Sequence, residues 1–144
     1  MRYLLDTNIC IYFANGRHAQ ISTRIANIPA GDLAISVITY GELLYGAAKS
    51  ARTAANRAII AKLMADLVTP LPLPLGAAEA YGEAKAQLRA KGQPISDNDL
   101  WIAAHALVED LVLVTNNVSE FKRVKGLKVE NWAKQAMKKT FFTK

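Results

Sequence analysis

The sequence predicts an α/β fold: one domain with a central parallel sheet of four to five strands flanked by helices. Two observations carry this expectation. Apolar runs, Tyr3-Leu4-Leu5 and Leu111-Val112-Leu113-Val114, discharge abruptly into small polar residues, Asp6-Thr7-Asn8 and Thr115-Asn116-Asn117, and then into helical spacing. Helical segments separate the strand candidates, and strands joined by helical crossovers run parallel. Uninterrupted apolar strands of this kind belong to sheets covered on both faces.

Taken in order, Tyr3–Leu5 is the first strand, and Asn8 to Asn15 follows as a helix with Ile9, Tyr12 and Phe13 at helical spacing and Asn15-Gly16 as its stop. A second helix, His18 to Asn27, sets Ile21, Ile25 and Ile28 on one face before Pro29-Ala30-Gly31 ends it. Leu33 to Val37 reads as a short buried strand bounded by turn formers. The helix from Thr39 to Lys49 carries Tyr40, Leu43, Leu44 and Ala47 as its stripe. Either Ser36 or Thr39 can cap it, and Thr39 with Glu42 matches a capping box.

The next helix, Ala51 to Val68, gathers Ala55, Ile59, Ile60, Leu63, Met64 and Leu67 on its apolar face and leaves Arg52, Arg57 and Lys62 off it. Prolines 70, 72 and 74 remove ladder donors from Thr69 to Leu75, so that stretch is a connector holding an edge strand at most. Gly76 to Lys91 is helical, with Arg89 and Lys91 in the last turn where the macrodipole favours them. Pro94 to Asp99 opens another helix, carrying Leu100, Ile102, Ala103, Ala106 and Leu107 and breaking at Glu109-Asp110. After the strand at Leu111–Val114, Glu120-Phe121 sits in a short helix and Leu127-Lys128-Val129 reads as a last edge strand, with Trp132 covering the core. The domain therefore spans residues 1–133. A basic tail, 134–144, follows, in which Lys134, Lys138, Lys139 and Lys144 are mixed with Phe141 and Phe142.

A chain of 144 residues supports one well-buried core, and 51% apolar with 21% charged residues is the balance of an ordinary globular protein. The net charge of +6 makes a polyanion such as a nucleic acid a natural partner. A single cysteine, Cys10, excludes an internal disulfide and suits a reducing compartment. With no apolar stretch of membrane-spanning length and no cleavable leader pattern, a cytoplasmic protein is expected.

Three acids from separate parts of the chain, Asp6, Glu42 and Asp99, each fall at a strand end or a helix start, where parallel α/β topology converges. Carboxylates brought together repel, so their proximity calls for a cation, and hard oxygen donors select Mg²⁺ or Mn²⁺. Such an ion positions a phosphodiester and activates water for attack on it. Each acid also has a purely structural reading. Asp6 and Asn8 are N-cap residue types, Glu42 completes a capping box, and Ser96 with Asp99 resembles a capping pair. Arg52, Arg57 and Lys62 are open to the same choice, between contacts to RNA phosphates and a solvated helix face.

Four stretches then match a known pattern in order and spacing: Leu4-Leu5-Asp6-Thr7-Asn8, Ser36 to Gly46, Asp99-Leu100-Trp101-Ile102-Ala103-Ala104-His105-Ala106, and Val114 to Phe121. Over Met1 to Trp132 the chain resembles the PIN-domain ribonucleases, and among them the VapC toxins of bacterial toxin-antitoxin pairs. The resemblance implies a PIN-like nuclease domain and Mg²⁺-dependent endonucleolytic cleavage of structured RNA that leaves a 3′ hydroxyl and a 5′ phosphate. Relatives with the Thr-Asn-Asn variant are similar to those that cut a transfer RNA in its anticodon loop and so inhibit translation. It further implies a VapB-like antitoxin that occludes the site, a homodimer, and promoter DNA bound only through the antitoxin.

Carried over residue by residue, the resemblance makes Asp6, Glu42 and Asp99 the metal-binding acids, with Thr7, Asn8 and Thr115 around them. Many relatives place an Asp where this chain has Asn117, which leaves three arrangements open: Asn117 holds a water, Glu120 substitutes, or one ion suffices. Asp97 fits the motif spacing less well than Asp99 and reads as a helix cap or an outer acid. His105, on a helix beside alanines, reads as packing. Two other classes stay in view. A phosphatase on a similar sheet would require Asp-x-Asp, whereas here the third position is Asn8; a catalytically inactive RNA-binding module would keep the basic helices without needing the acids.

Overall fold

The computed structural model describes residues 1–133, so the expected tail, 134–144, lies outside the described residues. Strand β1 (Tyr3–Leu5) occupies the middle of a five-stranded sheet in the order β3-β2-β1-β4-β5, with β2 at Leu33–Ser36, β3 at Thr69–Leu71, β4 at Val112–Val114 and β5 at Val129–Glu130. Every pairing is parallel. The chain builds outward from β1 through β2 to β3, then returns to the other side of β1 for β4 and β5. The order therefore reverses between β1 and β4, and such a switch point opens a crevice at the carboxyl ends of its two strands.

Seven helices cover the two faces among the described residues: α1 (Thr7–Asn15), α2 (Ala19–Ala26), α3 (Val37–Lys49), α4 (Thr53–Asp66), α5 (Ala77–Ala90), α6 (Asp97–Val108) and α7 (Val118–Phe121). Because side chains alternate along a strand, Tyr3 and Leu5 of β1 face one core and Leu4 faces the other. The first core gathers Ile9, Ile21, Ile25, Ile35, Leu43, Ile60 and Trp132, from α1 to α4, β2 and the final segment; the second gathers Leu88, Leu100, Ile102, Ala103 and Phe121, from α5 to α7. Full burial of a side chain such as Phe121 stabilises the fold by roughly 1.5–3 kcal/mol.

Two sequence-based boundaries shift, and one open reading is resolved. Helix α3 starts two residues before Thr39, because the Ser36 hydroxyl accepts the Ile38 N–H at 3.2 Å. Thr39 is thereby a buried helical residue, and Glu42 lies in the second turn with no capping box around it. The proline-rich connector does supply an edge strand, in which Pro70 stands opposite Ile35. The last strand falls at Val129–Glu130, two residues later than Leu127. Gly16, at φ 68°, closes α1 in the left-handed conformation that glycine adopts without steric penalty.

Candidate active site

Asp6 leaves the end of β1 directly at the switch point. Its backbone N–H continues the ladder to the Val114 carbonyl at 2.9 Å, and its side chain is only 5% exposed. One carboxylate oxygen accepts the Ile9 N–H at 3.1 Å, capping α1, while the other accepts the hydroxyl of Thr115 from the end of β4. Asp6 thus caps α1 with one oxygen while the other meets the end of β4, so capping does not exclude a role at the crevice. Burial pushes its carboxyl from the ordinary 3.8 up to about 6; the two hydrogen bonds oppose that rise, and the charges of Asp99 and Glu42 add to it.

Glu42 reaches the same crevice from α3. One of its oxygens accepts the Thr7 hydroxyl and the other accepts the Asn98 side-chain amide at 3.2 Å. Thr7 also lies 3.3 Å from the hydroxyl of buried Thr39. The result is a polar brace running from α1 through α3 to the first turn of α6.

Asp99 occupies that first turn, where the Ser96 side chain makes no capping bond, so the Ser96–Asp99 capping pair does not form. Its carboxyl instead lies beside that of Glu120 on α7, which burial and Asp99 together push up to about 7. Asn117 donates its side-chain amide to Glu120 at 3.2 Å. Asn117, Glu120 and Asp99 thus stand in one row.

The remaining candidates lie further off. Asp97 turns to α5, accepting Lys85 Nζ at 2.9 Å and the Tyr81 hydroxyl at 3.1 Å, and the Lys85 bond holds its carboxyl below the usual range. Asp97 is neither a side-chain cap nor a member of the acid row. Asn8 is exposed in the first turn of α1. Lys62 is paired with Asp66 at 2.8 Å one turn along α4, while Arg52 and Arg57 are exposed near the start of that helix. His105 is fully buried, with Nδ1 2.9 Å from the Ser36 hydroxyl, and desolvation lowers its pKa. Sequence reading missed Asn98, Tyr12 and Asn116. Asn98 braces Glu42, and the Asn116 amide donates to the Tyr12 hydroxyl at 2.9 Å, tying the loop after β4 to α1. Only the polar run Ser96 to Asp99 hinted at Asn98.

Among the described residues, Asp6, Glu42, Asp99 and Glu120 form no ion pair, although Asp32, Asp66, Asp97, Asp110 and Glu130 all do. These four acids thus have no salt-bridge partner among the described residues, although the charge of Arg123 is felt by Glu120. Oxygen-only donors of this kind fit a hard divalent ion. No three acidic, histidine or cysteine side chains among the described residues stand already gathered as a ligand set; Glu42 is held by Thr7 and Asn98.

A PIN domain model matches residues 3–127. Ribonuclease VapC2 of Haemophilus influenzae is 44% identical over 132 residues, covering 92% of this chain and 98% of its own. The tRNA(fMet)-specific endonuclease VapC of Shigella flexneri is 38% identical over 133 residues, covering 92% and 99%. Among solved structures, VapBC2 from Rickettsia felis bound to a DNA fragment from their promoter superposes with a TM-score of 0.84 at 36% identity, covering 92% and 99%. DNA-bound VapBC from Salmonella typhimurium gives a TM-score of 0.85 at 37% identity, covering 92% and 98%. Matched over nine-tenths of its length at this identity, with its acids at the switch point of the same fold, the chain belongs to the PIN-domain family, among the VapC ribonucleases.

Proposed function

We propose that this chain is the toxin of a toxin-antitoxin pair, a Mg²⁺-dependent endoribonuclease that cuts a structured RNA, of which a transfer RNA anticodon loop is the leading candidate, and so inhibits translation in the cytoplasm. The observation that carries the reading is the buried, unpaired Asp6 facing Glu42 and the Asp99–Glu120 pair across the crevice between β1 and β4. Asp6 and Asp99 would hold the ion, with Mn²⁺ suited to the same donors. When bound, it supplies charge to the scissile phosphate and lowers the pKa of water.

The chain's own residues do the rest. Thr115 and the Ile9 N–H hold the Asp6 carboxylate in one orientation. Thr7 and Asn98 hold Glu42 so that it can take a proton from the attacking water. The water oxygen bonds to phosphorus, the bond to the 3′ oxygen breaks, and that oxygen takes a proton from solvent and leaves as a 3′ hydroxyl, while the phosphate stays on the 5′ end of the downstream fragment. Glu120, titrating near neutrality beside Asp99, adds a proton-accepting group to the same edge.

The solved relatives are VapBC assemblies, two of them described as bound to DNA. By extension a VapB-like antitoxin would cover this site, the toxin would act as a homodimer, and promoter DNA would be met only through the antitoxin. No helix among the described residues is long and apolar enough to cross a membrane. The test is cleavage of total RNA by the purified chain in Mg²⁺, in Mn²⁺ and in excess EDTA, with the new 5′ ends sequenced. Cleavage that survives EDTA excludes the metal-dependent mechanism. Intact RNA with hydrolysis of a phosphomonoester favours the phosphatase class, and intact substrates of both kinds favour an inactive RNA-binding module.

A further inference from the structure

How the substrate is held beside the acids is a separate question, and its answer rests on the ribonuclease reading above. Tyr45 stands almost one turn beyond Glu42 on α3 and is 66% exposed. Among the described residues its one aromatic or cationic neighbour is the Lys49 ammonium, 5.1 Å from the ring centroid. Both line an open concavity of about 670 Å³ that reaches Glu42 and Asn98, with Ile11 and Val37 along its sides. That volume lies within the range of small-molecule sites, roughly 300–1,000 Å³.

So exposed an aromatic ring contributes little to the core. An exposed aromatic ring with a cation over one face is the pairing by which single-stranded RNA is gripped, and here it stands one turn from a candidate catalytic acid. A protein partner would favour continuous apolar lining. That lining lies elsewhere, in the furrow between α1 and α4 formed by Phe13, Ile59, Leu63 and Leu67, whereas Lys49, Glu42 and Asn98 make the Tyr45 concavity polar along one side. We infer that Tyr45 and Lys49 form a nucleotide subsite flanking the scissile position, Tyr45 stacking a base of single-stranded RNA and Lys49 meeting its phosphate. The next phosphodiester then lies over Glu42 and Asp6.

The test measures binding of a short fluorescein-labelled single-stranded RNA, and of the same strand made abasic, by full-length protein carrying Asp6→Asn to prevent cutting. On that background, Tyr45→Ala weakens binding of the base-bearing strand by about five- to a hundredfold and Tyr45→Phe by less than about twofold. Tyr45→Ala leaves the abasic strand unaffected. Lys49→Gln reduces the slope of log affinity against log salt by about 0.7. Should Tyr45→Ala fail to fold by thermal melting, Tyr45→Leu carries the same expectation. Unchanged affinity for the base-bearing strand, or equal losses for both strands, overturns the subsite. So does a fall in sedimentation mass at unchanged RNA affinity, which assigns Tyr45 to contact with a second copy. Wild type that cuts RNA while Tyr45→Ala binds normally overturns the subsite alone; wild type that neither binds nor cuts RNA overturns the ribonuclease reading and the subsite with it.

Discussion

The hydroxyl of Thr115 donates to the carboxylate of Asp6 across 109 residues of chain. The bond exists because β1 and β4 are parallel neighbours in register, Leu5 opposite Val114, so both strands release their next residue into the same crevice. Thr115 is also fixed from behind, its hydroxyl accepting the Asn117 N–H at 2.9 Å. One side chain therefore shapes the loop after β4 and orients the most buried acid of the site.

If that bond sets the charge state of Asp6, Thr115→Val removes a hydrogen bond that favours the ionised form, and the Asp6 pKa rises above about 6. The acid limb of the pH–rate profile should move to higher pH, with activity near pH 6 falling about five- to thirtyfold further than activity near pH 8, the scale of one hydrogen bond to a charged group. Thr115→Ser keeps the donor and should restore the wild-type profile. A uniform loss at all pH values in the valine variant would assign Thr115 to folding alone.

The elevated pKa of Asp6 also sets the pH dependence of stability in the metal-free protein. The folded state binds this proton more tightly than the unfolded chain does, since its pKa is about 6 against 3.8. Stability from this group is therefore fully present below about pH 4 and is lost as pH rises to 6, by about 3 kcal/mol in total. Asp6→Asn keeps an acceptor for the Ile9 N–H and removes the charge. In EDTA the variant should melt higher than wild type at pH 7.5 and at nearly the same temperature at pH 4. A variant equally destabilised at both pH values would show that burial of the charge is not strained.

Much of this site was legible because β-strands point their ends at it. Asp6 and Thr115 follow apolar runs that nothing but a buried strand explains, and the alternation of those runs with helices fixed the parallel sheet. Glu42 was ambiguous for a physical reason: Ser36 and Thr39 are both competent caps, and only the three-dimensional path shows that Ser36 takes the role and frees Glu42. The edge strand at Thr69 tolerates Pro70 because an edge needs a ladder on one side only. Asn98 and the Tyr12–Asn116 tie could not be read from spacing, since each depends on how separate helices meet. The offset of Asp97 from Asp99 is two residues, which on a helix turns the two carboxylates to different sides, one to α5 and one to α7.

That divergence separates the two acids experimentally. Asp97 pairs with Lys85 in an exposed position, so Asp97→Asn should leave cleavage within about twofold of wild type and change the melting temperature little, as surface substitutions do. Cleavage reduced by orders of magnitude in Asp97→Asn, with the fold intact, would place Asp97 in the chemistry after all.

Asp99 should behave in the opposite way, and its two possible roles differ in sign. A helix-start acid acting only on the dipole stabilises by about 0.3–1 kcal/mol, so Asp99→Asn would then lower the melting temperature slightly and leave activity nearly intact. The geometry argues against that role, because Ser96 makes no capping bond and the Asp99 carboxyl faces Glu120 and raises the pKa of both Glu120 and Asp6. Removing one member of a crowded acid group relieves repulsion, so in EDTA Asp99→Asn should melt at the same or a higher temperature than wild type. Saturating Mg²⁺ should stabilise wild type by about 2.7 kcal/mol when the ion stands at a hundred times its dissociation constant, and the variant by much less. Melting curves of both proteins with EDTA and with Mg²⁺, read beside RNA cleavage, decide the matter. A variant that is less stable in EDTA, still gains stability from Mg²⁺ and still cuts RNA would remove Asp99 from the site.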